Sequence, residues 1–545
     1  MLLVSYYCCY SLIIASLLSL HLANAQVVIP GQDMVTYEKQ SSLIKEFQVP
    51  IKELGLEGIT TDTQGNVWFL HSTNITSTIF KFDPNNGQFN QYPVQGETVA
   101  DNAIINLAAG HLVFSAVEKK GALWFTDART NSIGKLDIQN GTIQQIEIPT
   151  QNAGPMGIAL APDGKSVWFA EIMGDKIAQV DMDSMKIIEY PMAEDSGPAL
   201  LTFDDNGILW VSLSFSNSVL RADPQALSSS FSPSTTMTEF KLSGGDDTFS
   251  PFGIAASEEK VYVSDHGSSR VIVADRGFVN YISYWTSPSK EFPTTLPSEI
   301  VVDMKGNVYF PQHGGNRISV IDNATGVLTE YEIPTGPLST AVFIAASDDG
   351  RKIWFTEWAA NKIAYLDTTV KIPFDIEVSA GDIILTNPES KSINISMSAF
   401  DNSNKSSSSI SLSQVEIALV GMTESGLQGM TYTSQPQRVN LSQNHQVGVK
   451  VDLTAEEGST PGKYTLMVRA TAPEKDGLFV SRLYPKPIIL NVPGPQSQTD
   501  NTNNDTNSVE NTLNDLIRYA SLSVAIGLGG YIVYRKIKKR RIIQK

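Results

Sequence analysis

The stretch IWFTEWAANKIAYLD, residues 353–367, decides the fold. Its first four residues are β-branched or aromatic and suit a pleated strand, the polar turn around Asn361 reverses the chain, and a second strand ends on Asp367. An aspartate there opens the next turn by accepting hydrogen bonds from the backbone that follows. The unit is an antiparallel hairpin that cannot bury both faces alone, so copies of it are to be sought elsewhere in the chain.

Six further copies exist. An apolar pair led by an aromatic stands at Trp68, Trp124, Trp168, Trp210, Tyr262, Tyr309 and Trp354, with separations of 56, 44, 42, 52, 47 and 45 residues. A β-branched residue follows nine residues on in six copies and eleven in the first, and an aspartate always comes four residues later, from Asp83 to Asp367. Upstream of each hairpin lies a further short strand with a turn such as APDG at 161–164, and downstream a strand such as VLTEYEIP at 327–334. Four antiparallel strands per repeat of this length make a propeller blade. The seventh copy lacks its own fourth strand, and LIKEFQVP at 43–50 matches the missing piece, so the N-terminal strand is expected to close the ring and remove an open edge.

The expected architecture is therefore all-β: a seven-bladed β-propeller over residues 43–370, then an immunoglobulin-like β-sandwich over 371–492, where the spacing is lost and different strands alternate through Val447, Val449, Val451 and Leu453. The sandwich reads as a spacer or adhesion module. Residues 493–512, PGPQSQTDNTNNDTNSVENT, are too polar to pack and read as a disordered stalk. Residues 513–534 carry an uncharged run from Tyr519 to Tyr534, roughly 24 Å as a helix, and read as a single transmembrane helix. RKIKKRR follows at 535–541, which makes residues 535–545 a basic cytoplasmic tail. Residues 1–25, apolar and ending in Ala23-Asn24-Ala25, read as a signal peptide. The expected location is the cell membrane, single-pass, with the N-terminal bulk extracellular, and seven Asn-x-Ser/Thr sequons agree with export as a glycoprotein.

Composition bounds the chemistry. The chain has 545 residues, 41% hydrophobic, too long for one ordinary domain and too apolar to be disordered. Residues 26–512 carry a net charge of −24, which repels nucleic acid. The two cysteines, Cys8 and Cys9, lie in the leader, which excludes a disulfide framework, a zinc cluster and a Cys nucleophile from the rest. What remains is a column three places after each aromatic, polar in six of its seven members: His71, Asp127, Glu171, Leu213, Asp265, Gln312 and Glu357. It reads either as a set of ligands for a hard divalent cation, Mg²⁺ or Ca²⁺, or as the polar lining of a wet channel. His266 in SDHGSSR and His313 in PQHGGNR stand one place further in adjacent blades, able to act as general base and acid or simply to sit solvated in loops. His111 and His445 are read as structural.

The repeat unit in IWFTEWAANKIAYLD, and in GPMGIALAPDGKSVWFAEIMGDKIAQVD at 154–181, resembles the virginiamycin B lyase, or streptogramin lyase, family of seven-bladed propellers. The resemblance runs over roughly residues 43–367 and leaves out the sandwich, stalk and anchor. It implies a Mg²⁺-dependent elimination that opens the ester of a cyclic depsipeptide, with histidines in a Pro-His-Gly/Ala-Ile motif and a nearby glutamate on the metal. The positions matching that histidine are Glu57, Met156, Phe252 and Val342, while Glu171 and Glu357 keep the Trp-Phe-x-Glu element.

Two functions follow as expectations. One is a cell-surface, metal-dependent lyase or lactonase with Glu57, Asp127, Glu171, Asp265 and Glu357 as ligands and His266 and His313 as proton carriers. The other is a non-catalytic propeller that binds a small molecule, glycan, peptide or envelope component at the channel mouth.

Overall fold

Each repeat copy folds as four antiparallel strands, and the third shows why. Pro155–Leu160, Ser166–Glu171, Lys176–Asp181 and Ile187–Pro191 pair in that order. Trp168 sits opposite Gln179 and is almost wholly buried, while Asp181 closes the next turn by accepting from the Ser184 amide at 2.7 Å. The tight turn between the second and third strands needs one residue in the left-handed region. In five of the seven copies this is Asn131, Asp175, Asn217, Asn316 or Asn361, with φ between 51° and 57°. Asn and Asp tolerate that backbone because their short side chains bond locally.

In the computed structural model the described residues are 39–491, less some short segments, the longest being 99–110, 116–120, 230–235, 242–249, 289–293, 400–410 and 422–426. The expected leader (1–25), stalk (493–512), membrane helix (513–534) and tail (535–545) lie outside them. Among the described residues no helix is long and apolar enough to cross a membrane.

The architecture is all-β and propeller-like. The first strands of successive sheets pack side by side, from Leu56–Thr61 through Leu112–Ser115, Pro155–Leu160, Pro198–Phe203, Pro251–Ala256 and Val301–Val302 to Ala341–Ala346, which returns to the side of Leu56–Thr61. Core clusters lie between neighbouring sheets; Trp168 and Ile177 of the third, for example, pack with Leu201, Leu209 and Val211 of the fourth. Full burial of such a tryptophan removes an area worth on the order of 5 kcal/mol before entropy is counted.

The expected closure is present. Ile44–Gln48 pairs antiparallel with Lys362–Asp367, with Ile44 opposite Leu366 and Phe47 opposite Ile363, and supplies the fourth strand of the last sheet. The region after residue 371 is not a free spacer. It forms two sheets around a shared apolar core that includes Ile393, Ile395, Val449, Ile417, Leu466 and Val468. One of these sheets continues the sixth repeat: Phe479–Asn491 pairs antiparallel with Leu328–Glu332, placing Leu328 opposite Leu483 and Tyr331 opposite Val480. That pairing satisfies the outer edge of the sixth sheet, whose amides and carbonyls would otherwise face solvent.

Candidate functional site

The second strands all end at the same height, and the polar column sits at those ends. Asp127 is fully engaged. Its Oδ1 accepts from Ser77 Oγ at 3.2 Å and the Arg129 amide at 3.1 Å, its Oδ2 accepts from Thr130 Oγ1 at 2.8 Å, and the Arg129 guanidinium lies 3.5 Å away. Asp265 accepts from the Ser250 and Gly267 amides at 2.9 and 3.1 Å and from Arg270 Nε at 3.0 Å. Glu57 is buried on the first strand of the first sheet. Glu171 and Glu357 are completely buried, and no hydrogen bond closes on either oxygen of either carboxylate. Burial pushes both carboxyls up to about 8, with Glu189 reinforcing the shift at Glu171 and Glu46 at Glu357.

A divalent cation does not fit these five acids. Its ligands must be ionised oxygens converging on one point. Two of the five already hold arginine and backbone donors, and among the described residues no group of three or more His, Cys, Asp or Glu side chains is placed to hold a metal.

The two rim histidines do meet. Their rings stack with centroids 5.3 Å apart and planes 16° from parallel, and Phe252 lies 5.1 Å from His266. His266 Nδ1 is 3.2 Å from the Pro297 carbonyl, so that nitrogen carries the proton of the neutral ring. Burial lowers the pKa of His266, and burial together with His266 lowers that of His313 to about 3. Both rings are therefore neutral at neutral pH. His266 can take a proton from a bound group, whereas His313, at about 3, is too weak a base to take one near neutral pH.

A second polar centre, missed in the sequence reading, lies deeper along the first strands. In register terms, Ile59, Leu112, Ile158, Leu201, Ile254 and Ile344 are equivalent, each opposite the second residue of its aromatic-led pair. The residue before each is Gly58, His111, Gly157, Leu200, Gly253 and Phe343, and in the sixth sheet Glu299 precedes Ile300. Glycine is required where strands approach closely: a Cβ on Gly253 would lie 2.1 Å from the Ser298 carbonyl oxygen. In the second and sixth sheets this position carries long side chains, and they meet, with His111 Nε2 2.5 Å from Glu299 Oε1. The Ile344 amide donates to Glu299 Oε2 at 2.8 Å, and the Ile158 amide points at His111 Nδ1 at 3.4 Å, which leaves the proton of the neutral ring on Nε2. Burial, the largest single influence, lowers the His111 pKa, but the Glu299 charge, the hydrogen bond to Glu299 and the Ile158 backbone together outweigh it and the net direction is up. This pair borders a cavity of about 550 Å³ whose walls include Ile158, Leu200, Ile254 and Ile300 together with Thr202, Asp204 and Asp205. The legible signal was the glycine of the Gly-Ile pair, replaced by ionisable residues in two copies only.

A four-stranded repeat closed by the N-terminal strand, its first strands packed side by side and returning on themselves, defines a propeller-like fold. The family model described as the Virginiamycin B lyase family matches residues 42–337, more than half of the chain, and the chain belongs to that family. The virginiamycin B lyase of Nocardia farcinica is 28% identical over 88 residues, 16% of this chain and 30% of that protein, so the chain matches under a third of that relative's length. Among solved structures, a streptogramin B lyase is similar at 25% identity and a TM-score of 0.48, covering 59% of this chain and 97% of that one. A catalytically inactive histidine-to-alanine variant of the Staphylococcus aureus virginiamycin B lyase, with quinupristin, is 22% identical at a TM-score of 0.49, covering 59% and 98%.

Proposed function

We propose that this chain is a seven-bladed β-propeller (43–370) with an immunoglobulin-like β-sandwich (371–492), carried outside the cell on one C-terminal membrane helix (513–534), and that it binds a compact, neutral ligand with both apolar and hydrogen-bonding groups in its axial pocket. The seven four-stranded units packed in sequence support the blade count, and the two sheets after residue 371 support the sandwich. The uncharged run followed by RKIKKRR supports the anchor.

The single observation that carries the binding reading is the cavity of about 550 Å³ that five consecutive first strands or their flanks line, with the His111–Glu299 pair at its polar end. Its lining mixes aliphatic side chains with Thr202, Asp204 and Asp205, and a concave site with convergent polar groups is the usual form of a small-molecule site. The Glu299 carboxylate favours a ligand that donates a hydrogen bond, a hydroxyl or amide N–H, and the surrounding charge of −24 disfavours anions. The neutral fluorophore N-phenyl-1-naphthylamine tests this. Its fluorescence should rise on one saturable site per chain, and Leu200→Trp, which fills the cavity, should abolish the rise while His266→Ala keeps it. An unchanged rise in Leu200→Trp would place the dye elsewhere and reject the pocket.

The stacked, neutral rings of His266 and His313 favour a second reading, a lyase or lactonase in which one imidazole removes a proton beside an ester. The family's histidine column carries Glu57, Met156, Phe252 and Val342 here, so the base would have to come from this different position.

A further inference from the structure

The two buried glutamates that do not fit a metal belong to a pattern that occurs three times. In the third sheet Glu171 lies opposite Lys176, and Glu189 on the outer strand accepts from the Thr150 amide and hydroxyl, both at 2.9 Å, and from Lys176 Nζ. In the last sheet Glu357 lies opposite Lys362, and Glu46 on the closing strand accepts from the Thr335 amide at 2.8 Å, its hydroxyl at 2.9 Å and Lys362 Nζ at 2.7 Å. In the sixth sheet Gln312 lies opposite Arg317, and Glu330 accepts from the Ser287 amide at 2.8 Å. Glu189, Glu46 and Glu330 share one register position, opposite Ala178, Ala364 and Ser319. Thr150, Thr335 and Ser287 all lie on the connection from the preceding sheet.

The sixth copy shows what the central residue does. Its amide Nε2 donates to Glu330 Oε1 at 2.8 Å and to Ser319 Oγ at 2.7 Å. An ionised carboxylate in that place has no proton to give and would leave its oxygens orphaned, as they stand at Glu171 and Glu357. A protonated carboxyl has the shape of the glutamine and one donor.

We infer that Glu171 and Glu357 are neutral carboxylic acids that clasp the second strand of their sheet to its outer strand, each giving its proton to the outer-strand carboxylate beside it, Glu189 or Glu46, as the Gln312 amide donates to Glu330. The clasp at Glu357 fastens the N-terminal strand that closes the ring. The charged groups facing it are Glu46 and Lys362, and those facing Glu171 are Glu189 and Lys176. The lysines favour ionisation, but burial and the neighbouring carboxylates outweigh them.

Both carboxyls are raised from about 4.5 to about 8, so their contribution to stability is complete below the ordinary carboxyl range and is lost as pH climbs to about 8. The test is thermal melting of the full chain in detergent between pH 5 and 9. The wild type should lose melting temperature from pH 5 up to about 8 and level off above it, and the double variant Glu171→Gln with Glu357→Gln should flatten the loss and melt above the wild type at pH 9. Gln312→Glu, which builds a third acid into the pattern, should steepen it. An unchanged slope in either variant overturns the inference, and should the double variant fail to fold, Gln312→Glu decides alone. A rise in wild-type melting temperature with Mg²⁺ or Ca²⁺ that disappears in the double variant would overturn it as well, because the glutamates would then be ligands.

Discussion

At the scale of residues, identity of position did not mean identity of role. Asp127, Glu171, Asp265, Gln312 and Glu357 occupy one column, yet the aspartates are held by arginine and backbone donors, the glutamates are buried acids and the glutamine is an amide donor. That the column is polar was legible in the sequence. Which charge each member carries was not, because it depends on the outer strand and on the connection from the previous sheet, both remote in sequence. The pairing of His266 with His313 was legible from their equivalent places in adjacent repeats, whereas His111 and Glu299 are 188 residues apart and meet only across the axis. Replacing His111 by alanine leaves Glu299 buried with one acceptor unmet, and denaturant unfolding should show a loss of about 3 kcal/mol at pH 6. Since the His111 pKa is raised, the pair's contribution is complete below about 6.5 and is lost as pH rises through the folded value, so the same substitution should cost less at pH 9. An equal cost at both pH values would mean that packing, and not charge, sets the effect.

At the scale of elements, the hairpin quoted from residues 353–367 gave the register almost unaided. Its aromatic became the buried centre of the second strand, its asparagine took the left-handed turn, and its aspartate closed the following one. The missing fourth strand was predicted at residues 43–50 and found as Ile44–Gln48. Deleting 43–50 removes five paired residues, the apolar contacts of Ile44 and Phe47, and Glu46 from its clasp. Calorimetry should show a melting temperature lower by more than about 10 °C. An unchanged transition would mean that Lys362–Asp367 is stable as an open edge. The pairing of Leu328–Glu332 with Phe479–Asn491 was not legible, since alternation marks a strand without naming its neighbour.

At the scale of the whole molecule, repetition supplies the frame and departures from repetition supply the chemistry. Gly157 and Gly253 let neighbouring first strands approach closely, and the replacements of this column in the second and sixth sheets put an imidazole and a carboxylate into the same cavity. Membership of the virginiamycin B lyase family fixes the kind of frame, but a fold carries no reaction by itself. Asp127 and Asp265 are engaged by arginine and backbone donors, and the family's histidine column carries other residues here, which supports the proposed reading of a pocket that binds its ligand without turnover. Incubating the full chain with quinupristin and Mg²⁺ tests this most directly. Elimination opens the depsipeptide ring without changing its mass, so the product is followed by chromatography and fragmentation. Quinupristin should remain cyclic at every chain concentration; conversion to the linear isomer in proportion to the chain, abolished by His266→Ala or His313→Ala, would contradict the account.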